Sequence, residues 1–298
     1  MSRKFKVAGI GEVLWDQLPE VDVLGGAPAN VAYHAGQLGA ESYIISAVGK
    51  DKLGDEIISR LSAKNINLLI SRTAYPTGTV KVTLDDKGVP DFVITKDVAW
   101  DHIELTNESS NLASQLDAVC FGSLAQRNNV SHNAVIKFLN LLPENALKIF
   151  DINLRQNFYD KQLIDESLTI SNILKINDDE LIIISNLFGW KGDAEYLCRN
   201  LLDKYELKLV AYTCGTNGSY LYNKDEKSFL KTPLVKVKDT IGAGDSFTAA
   251  LMVSLLQGYK LSECHILAVA ISAFVCEYDG AMPDYSEELW NRINKVTQ

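Results

Sequence analysis

The sequence predicts an α/β protein with a mainly parallel central sheet and helices on both faces. Short runs of apolar and β-branched residues alternate with longer amphipathic stretches along the chain. Strands that alternate with helices of this length pair in parallel, because each helix returns the chain to the same end of the sheet. The length of 298 residues suits one large domain of this class, with or without a small appendage.

The predicted elements follow one another without an internal repeat or a low-complexity linker. Strands are predicted at residues 5–10, 42–48, 118–121, 147–152, 174–176 and 207–212. Helices are predicted at residues 30–38, 53–64, 131–142, 161–173 and 194–205, and in two stretches that begin after Gly244 and Ser262.

One stretch interrupts this alternation. Residues 79–84 alternate polar and apolar side chains, residues 85–88 form a predicted turn, and residues 90–95 resume an extended pattern. This pattern is typical of a hairpin with one apolar face. The hairpin is either an additional antiparallel edge or a lid that excludes water from a cleft. Its apolar face would also suit a dimer contact.

Composition and charge argue against several classes of protein. A net charge of -9 and a pI near 5.0 disfavour a protein that follows nucleic acid or an anionic membrane. No apolar run approaches the roughly 18 residues of a membrane span, and no apolar signal segment follows the basic N-terminus. Five scattered cysteines and four isolated histidines predict neither a disulfide framework nor a zinc site. We therefore expect a cytoplasmic protein with reduced thiols.

Residues 239–247 carry the strongest functional signal. Two glycines and two aspartates precede an apolar helical pattern here. The N–H groups of a glycine-rich turn at a helix start can close on an anion, and the helix dipole adds favourable potential. An aspartate there would repel a resting phosphate, so Asp245 fits a base that accepts a hydroxyl proton during phosphoryl transfer. The alternative is a helix N-cap, a position that also favours aspartate.

The residues after the first predicted strand resemble a dinucleotide-binding fingerprint only in part. Gly9 and Gly11 are present, but Leu14 occupies the place of the third glycine, which disfavours a Rossmann dehydrogenase. Asp16 remains, close to the carboxyl end of a strand, where open α/β sheets collect ligands. A carboxylate there suits a polyol, although a solvated loop acid is the alternative.

A double glycine precedes the first predicted helix. Gly25 and Gly26 permit close approach of a ligand to the backbone, and Asn30 offers both a donor and an acceptor to a sugar hydroxyl. Pro28 is an ordinary signal for the start of a helix. A helix start alone does not require two glycines, which favours a binding site.

Polar groups also follow three later strands. Arg155 could hold a phosphate or a carboxylate, or could form a structural ion pair with Asp151. Asn177 and Glu180 lie three positions apart on a starting helix, where hard oxygens suit hydrated magnesium or form a capping box. Residues 213–219 supply glycines and hydroxyls between two strands, as a phosphate-facing turn or as a simple connection.

Together these motifs resemble the ribokinase-type (PfkB) carbohydrate kinases, from about residue 5 to residue 283. Residues 25–32 with 49–54 match the N-terminal signature of that family, residues 239–247 its C-terminal signature, and residues 177–180 its Asn-x-x-Glu motif. Residues 11–16, 121–124 and 151–155 are similar to the fructokinase branch, in which threonine often stands in place of Ile241. A P-loop enzyme is disfavoured, because no Gly-Lys-Ser/Thr follows a glycine-rich loop.

The resemblance implies a role for each motif. Asp245 would be the catalytic base, and the anion hole would be formed by the N–H groups of Gly242, Ala243 and Gly244. The residues implied for sugar binding are Asp16, Gly26, Asn30 and Arg155. The residues implied for the nucleotide are Thr213, Gly215 and Gly218. Asn177 and Glu180 would hold Mg2+ through water, and Asp239 with residues 274–280 would hold a monovalent cation such as K+.

The resemblance also implies one ribokinase-like domain over residues 1–298. A small β lid would come mainly from about residues 73–98, with segments near residues 12–25. Val82 and Phe92 are the candidates for its apolar face, through which a homodimer could form.

The implied reaction transfers the γ-phosphoryl group of MgATP to a primary hydroxyl of a sugar, with fructose as the first choice. The alternatives are a 2-keto-3-deoxygluconate kinase or a ribokinase, because Arg155 could serve the carboxylate of a sugar acid. A sugar-binding regulator that kept the fold but lost the reaction is the alternative from another class. Sugar and ATP are thus the expected partners, with no nucleic acid and no membrane.

Overall fold

The computed structural model describes residues 3–18, 21–84 and 90–296. The strands are β1 (Lys6–Ile10), β2 (Leu14–Gln17), β3 (Asp22–Gly25), β4 (Glu41–Gly49), β5 (Asn67–Thr73), β6 (Gly78–Leu84), β7 (Pro90–Ile94), β8 (Ala118–Phe121), β9 (Leu147–Asp151), β10 (Ile173–Asn177), β11 (Leu209–Thr213), β12 (Ser219–Tyr222) and β13 (Lys227–Leu230). The helices are α1 (Ala27–Gln37), α2 (Lys52–Ala63), α3 (Asn107–Ala113), α4 (Asn129–Asn140), α5 (Lys161–Ile170), α6 (Asp178–Phe188), α7 (Ala194–Lys204), α8 (Ala243–Leu256), α9 (Leu261–Val275) and α10 (Glu287–Val296).

A nine-stranded sheet forms the centre of the protein, in the order β13-β12-β11-β10-β9-β8-β1-β4-β5. All neighbours from β11 to β5 pair in parallel, and β12 and β13 add an antiparallel edge. The predicted mainly parallel sheet is confirmed. Because the strands run the same way, the residues that follow β1, β9, β10 and β11 meet along one edge.

Apolar cores cover both faces of this sheet, as predicted for an α/β protein. In β1, Val7 packs with α8 and α9 residues such as Leu251 and Ile271. The next residue, Ala8, belongs to a separate core with residues of α4 and α5. Successive side chains of a strand point to opposite faces, so each strand contributes to both cores. Among the described residues, no helix combines the length and apolar character that crossing a bilayer needs.

A second sheet stands apart from the first, with four strands in the order β3-β2-β6-β7. β6 and β7 form the predicted hairpin, and β2 pairs with β6 in parallel. The hairpin is therefore not an added edge of the central sheet but part of a small separate sheet, as the lid prediction required. Its predicted turn at residues 85–88, and the side chains of Val82 and Phe92, lie outside the described part of the chain.

Gly9 shows why the partial dinucleotide fingerprint is misleading. A Cβ atom at Gly9 would lie 2.1 Å from the carbonyl oxygen of Pro28, in the first turn of α1. Glycine is needed here because the helix backbone packs directly on β1. The glycine thus serves helix–strand packing and needs no dinucleotide to explain it.

Two kinds of element differ from the sequence prediction. Helix α5 ends at Ile170, not at residue 173, because Asn172 binds the backbone at the start of strand β9. Its Oδ1 accepts from Lys148 N and its Nδ2 donates to Ala146 O. The strands β5 and β13 lie at the two edges of the sheet and were not predicted. Both strands face partly toward solvent: no residue of β5 is fully buried, and β13 alternates exposed and half-buried residues.

Asp51 joins helix α2 to the start of the second sheet. Its Oδ1 accepts hydrogen bonds from Gly54 N (2.8 Å) and Thr77 Oγ1 (2.6 Å), and its Oδ2 accepts from Thr77 N (2.8 Å). Burial alone would raise the pKa of Asp51, but these hydrogen bonds outweigh it and hold the pKa below the ordinary 3.8. A lowered folded-state pKa stabilises the fold above pH 3.8, and this contribution is lost as the pH falls further.

We expect Asp51→Ala to lower the free energy of unfolding by about 1–3 kcal/mol, measured with urea at pH 7. The matched control is Asp160→Ala, since Asp160 caps α5 through Leu163 N and lies far along the chain from Thr77. Asp160→Ala should cost less, about 1 kcal/mol. Equal losses in the two variants would show that Asp51 acts as a helix cap alone.

Candidate active site

Asp245 lies in the first turn of α8 and contacts a residue from the other end of the chain. Its Oδ2 accepts a hydrogen bond from Asn30 Nδ2 over 2.7 Å, across 215 positions of sequence. The N-cap of α8 is Gly242, with φ of 77°, and Asp245 is the third helical residue. The N-cap alternative for Asp245 is therefore wrong. The structure brings the predicted base and the predicted sugar-binding asparagine together.

The start of α8 presents backbone N–H groups next to Asp245. The first full helical hydrogen bond runs from Ser246 N to Gly242 O over 2.8 Å, and Ala243 N donates to Thr240 O over a longer 3.3 Å. Earlier N–H groups of a helix have no intrahelical acceptor, and they carry the positive end of the dipole. A glycine-rich helix start of this kind suits an anion, and anion binding by Gly242, Ala243 and Gly244 stays a prediction.

The surroundings of Asp245 favour its protonated form. Burial is the main cause and the negative charge of Asp151 adds to it, so that the pKa rises from 3.8 to about 6. The hydrogen bond from Asn30 and the charges of Lys175 and Arg155 act in the opposite direction. A carboxylate with a pKa near 6 is ionised at neutral pH and is a better proton acceptor than an ordinary aspartate.

Glu12 is buried beside this pair and was not assigned a role from the sequence. Its burial raises the pKa to about 7, although Arg155 lowers it. Glu12 Oε2 and Asn30 Oδ1 are both buried without a hydrogen-bond partner in the described part of the chain. An acidic residue directly after a buried strand was the available signal. Buried acceptor atoms normally have a hydrogen-bond partner, and donors of a bound hydroxyl compound could satisfy these two.

Asp16 of the second sheet and Gly26, the N-cap of α1, lie close to Arg155 and Glu12 respectively. Asp16 lies on β2. Burial raises its pKa to about 6, although the positive charge of Arg155 lowers it. Gly26 has φ of 123°, and a Cβ atom there would lie 2.5 Å from Glu12 O. Close backbone packing therefore requires glycine at this position. Sugar binding by Asp16 and Gly26 stays a prediction.

Arg155 is exposed in the loop after β9. The neighbouring residues Asn153 and Gln156 have φ of 46° and 49°, in the left-handed region. Asp151 forms its ion pair with Lys175 instead of Arg155, at 3.1 Å, and also accepts from Thr248 Oγ1 at 2.8 Å. The proposed Asp151–Arg155 ion pair is therefore wrong. Arg155 Nη1 donates to Leu154 O over 3.0 Å, and ligand binding by Arg155 stays a prediction.

Three comparisons agree on the family of this chain. A model of the pfkB family carbohydrate kinases matches residues 20–288. The uncharacterized sugar kinase PH1459 of Pyrococcus horikoshii is 30% identical over 92% of this chain and 91% of its own. Its crystal structure covers 98% of this chain and all of its own, with a TM-score of 0.84. The chain belongs to the PfkB family of carbohydrate kinases. It is an ATP-dependent sugar kinase.

Relatives of this PfkB kinase carry different names for their sugars. An ATP-dependent 6-phosphofructokinase of Thermoanaerobacterium thermosaccharolyticum is 29% identical over 95% of this chain and 91% of its own. A fructokinase of Salmonella typhimurium is 28% identical over 84% of both chains. PH1459 has also been solved in complex with ATP, with a TM-score of 0.79 at 28% identity over 93% of this chain and 94% of its own. Family membership therefore leaves the sugar open.

Asn177 and Glu180 of this PfkB kinase form a capping box at the start of α6. Asn177 Oδ1 accepts from Glu180 N over 2.8 Å, and Glu180 Oε2 accepts from Asn177 N over 2.9 Å. Glu180 Oε1 accepts from Leu154 N over 3.0 Å. In the described residues no group of three or more acidic, histidine or cysteine side chains could enclose a metal ion. These oxygens suit a water-mediated contact with Mg2+, and that role stays a prediction.

The predicted nucleotide residues lie beside this helix start. Thr213 ends β11 in register with Asn177 of β10. Gly218 has φ of 108°, and a Cβ atom there would lie 2.4 Å from Leu230 O, whereas a Cβ atom at Gly215 meets no other atom within 4 Å. Gly218 is thus needed for packing. The space beside the Gly215 Cα is not filled by other atoms of the described part of the protein. Nucleotide binding by these residues stays a prediction.

Asp239 connects the glycine-rich turn at the start of α8 to the loop after α9. Its Oδ1 accepts from Ile241 N over 2.9 Å, and its Oδ2 accepts from Gly280 N over 3.1 Å. The two segments predicted for a monovalent cation are therefore adjacent. The hydrogen bonds show a structural role for this carboxylate, and K+ binding stays a prediction.

Sequence reasoning missed Lys175 and Thr248, which hold Asp151 in the interior. Lys175 stands in the apolar strand β10, where a charged residue was a signal that could have been used. Thr248 lies within the apolar helix α8 and gave no signal.

Proposed function

We propose that this kinase phosphorylates a primary hydroxyl of a sugar, with fructose as the leading substrate and Asp245 as the general base. The observation that carries the proposal is the Asn30–Asp245 hydrogen bond at the start of α8. It joins a group suited to sugar hydroxyls with a carboxylate of raised pKa and a turn suited to a phosphoryl group. A protein that only binds sugar needs no base at such a turn.

The proposed reaction is an in-line displacement at the γ-phosphorus of ATP. The sugar hydroxyl gives its proton to Asp245, its oxygen forms the new bond to phosphorus, and the bond to the ADP oxygen breaks. The N–H groups of Gly242, Ala243 and Gly244 would hold the charge of the transferring group. Asp16, Gly26 and Asn30 would orient the sugar. Proximity and electrostatics supply most of the rate.

The remaining predicted contacts complete the proposed site. Thr213, Gly215 and Gly218 would line the nucleotide. When bound with ATP, Mg2+ neutralises phosphate charge, and Asn177 and Glu180 would contact it through water. K+ near Asp239, closure of the second sheet as a lid, a homodimer through that sheet and a cytoplasmic location are also proposed.

Fructose is preferred over a sugar acid on the similarity of residues 11–16, 121–124 and 151–155 to the fructokinase branch. The exposed Arg155, with its field on Glu12, Asp16 and Asp245, keeps an anionic sugar as the second candidate. 2-Keto-3-deoxygluconate carries a carboxylate and fructose 6-phosphate a phosphate, and either could pair with Arg155.

The test is ADP release from MgATP with fructose, ribose, tagatose, 2-keto-3-deoxygluconate and fructose 6-phosphate. We expect the highest kcat/KM with fructose. An Arg155→Met variant separates the candidates, since it should reduce kcat/KM at least tenfold for an anionic substrate and much less for a neutral one. Activity with none of these sugars would contradict the proposal. Asp245→Asn protein, purified in the same way, controls for contaminating kinases.

The pH dependence of kcat/KM should report the ionisation of Asp245. The base must be deprotonated, and its pKa is raised to about 6, so kcat/KM should fall about tenfold per pH unit below pH 6 and level off above pH 7. Glu12 and Asp16 titrate in the same range. Glu12→Gln and Asp16→Asn variants serve as controls. The fall of kcat/KM at low pH, here called the acid limb, should persist in both. A flat profile down to pH 4.5 would exclude a base with this pKa.

A further inference from the structure

Lys175 lies directly behind the first turn of α8. Its Nζ is 3.1 Å from the position that a Cβ atom would take at Gly244. The same Nζ is 3.1 Å from Asp151 Oδ1, and the side chain is about 10% exposed. A buried ammonium group therefore occupies the space beside Gly244, in the turn proposed to receive the phosphoryl group.

Asp151 connects this ammonium group to helix α8. Asp151 and Lys175 face each other in register on β9 and β10. The second oxygen of Asp151 accepts from Thr248 Oγ1 of α8 over 2.8 Å. Two strands and the helix that carries Asp245 thus share one ion pair.

Lys175 carries the positive charge of a buried ion pair. Its Nζ lies 3.1 Å from Asp151 Oδ1, next to the helix turn that holds Asp245. Without Lys175, the negative charge of Asp151 would favour the protonated form of Asp245, and no group on the central strands would oppose it.

We propose that Lys175 is a positioning residue that keeps Asp245 ionised and holds the first turn of α8 in place for phosphoryl transfer. The proposal rests on the proposed function, since it assumes that Asp245 is the base. A purely structural ion pair is the competing explanation. The two differ in what happens to the ionisation of Asp245 when one member of the pair is removed.

The groups that act on Asp245 come from every element packed against it. Three oppose its protonation: Asn30 of α1 through its hydrogen bond, and Lys175 of β10 and Arg155 of the loop after β9 through their charges. Two favour it through negative charge: Asp151 of β9 and Glu12 after β1. Asp245 also acts on Glu12, so the variants of Lys175 and Asp151 are repeated in the Glu12→Gln background, where a shift can no longer come from Glu12.

Lys175→Met and Asp151→Asn should move the acid limb of the kcat/KM profile in opposite directions. Loss of the cation should move it up by about one pH unit, so that kcat/KM at pH 5 falls about tenfold more than at pH 9. Loss of the Asp151 charge should move it down. The matched control is Thr248→Val, which removes a neutral contact of Asp151 and should leave the limb unchanged.

The outcomes separate this proposal from its alternatives. Equal losses at every pH in folded Lys175→Met and Asp151→Asn would show a structural ion pair and overturn the proposal. Circular dichroism and thermal unfolding establish folding, and if Lys175→Met does not fold, Lys175→Gln replaces it and must show the same upward shift. An active Asp245→Asn enzyme would refute the proposed function instead, whatever the acid limb does.

Discussion

Replacement of Asp245 by asparagine is expected to lower kcat with the preferred sugar by about 100- to 10,000-fold. Asparagine keeps the size of the side chain and can still accept the hydrogen bond of Asn30, but it cannot take up the hydroxyl proton. The affinity for ATP should stay within about threefold, since no nucleotide contact is removed. Steady-state kinetics and nucleotide titration measure the two quantities.

The same variant should unfold at or above the temperature of the original protein at pH 7.5. Burial raises the pKa of Asp245, so the ionised carboxylate opposes folding at that pH and its removal relieves the fold. The matched control is Glu263→Gln, because Glu263 is also the third residue of its helix, α9. It should change stability slightly and kcat hardly at all. Near-normal turnover in Asp245→Asn would remove the assignment of the base.

Gly242→Ala is expected to lower kcat by about 10- to 1,000-fold. Gly242 has φ of 77°, and a Cβ atom there would lie 2.8 Å from the backbone of Ala281. The turn must shift to accommodate the methyl group, and the N–H groups of Gly242, Ala243 and Gly244 would move with it. Displaced donors no longer match the charge that develops during transfer.

Gly258→Ala is the matched control for backbone strain. Gly258 follows the other end of α8 with the same φ of 77°, but a Cβ atom there meets no other atom within 4 Å. Both variants carry the strain of the left-handed region, roughly 1 kcal/mol, and only Gly242→Ala carries the clash beside Asp245. Equal kcat values in the two variants would show that the position of this turn is unimportant for transfer.

Local signals explain how much of the fold could be predicted. The alternation of apolar runs with amphipathic stretches predicted the central sheet, and the alternating hairpin pattern predicted the second sheet apart from it. The edge strands β5 and β13 were missed because their apolar runs are short: Leu68–Ile70 in β5, and Phe229 and Leu230 in β13. Helix α5 was drawn too long because Asn172 ends it through contacts with distant backbone.

The candidate site was predictable where its residues carry their own conformational signature. Gly26 and Gly242 adopt backbone angles that favour glycine, so the need for these angles leaves glycines in the sequence. Asp245 stands next to one of these glycine-rich turns, at the start of a helix. Lys175 and Glu12 are charged residues in or directly after an apolar strand. That signal alone does not distinguish a structural ion pair from a functional residue. Their meaning depends on which carboxylates, amides and helix ends surround them.

By itself, the sequence determined the α/β class, the family and the turn that begins α8, because strand periodicity and glycine-rich turns are local properties. Only the tertiary structure decided that Asp245 contacts Asn30 and not its own helix end, and that Asp151 pairs with Lys175 and not with Arg155. Both pairings join residues far apart in the chain. Their geometry, and the raised pKa that burial confers on Asp245, exist only once the parallel strands place their carboxyl ends side by side.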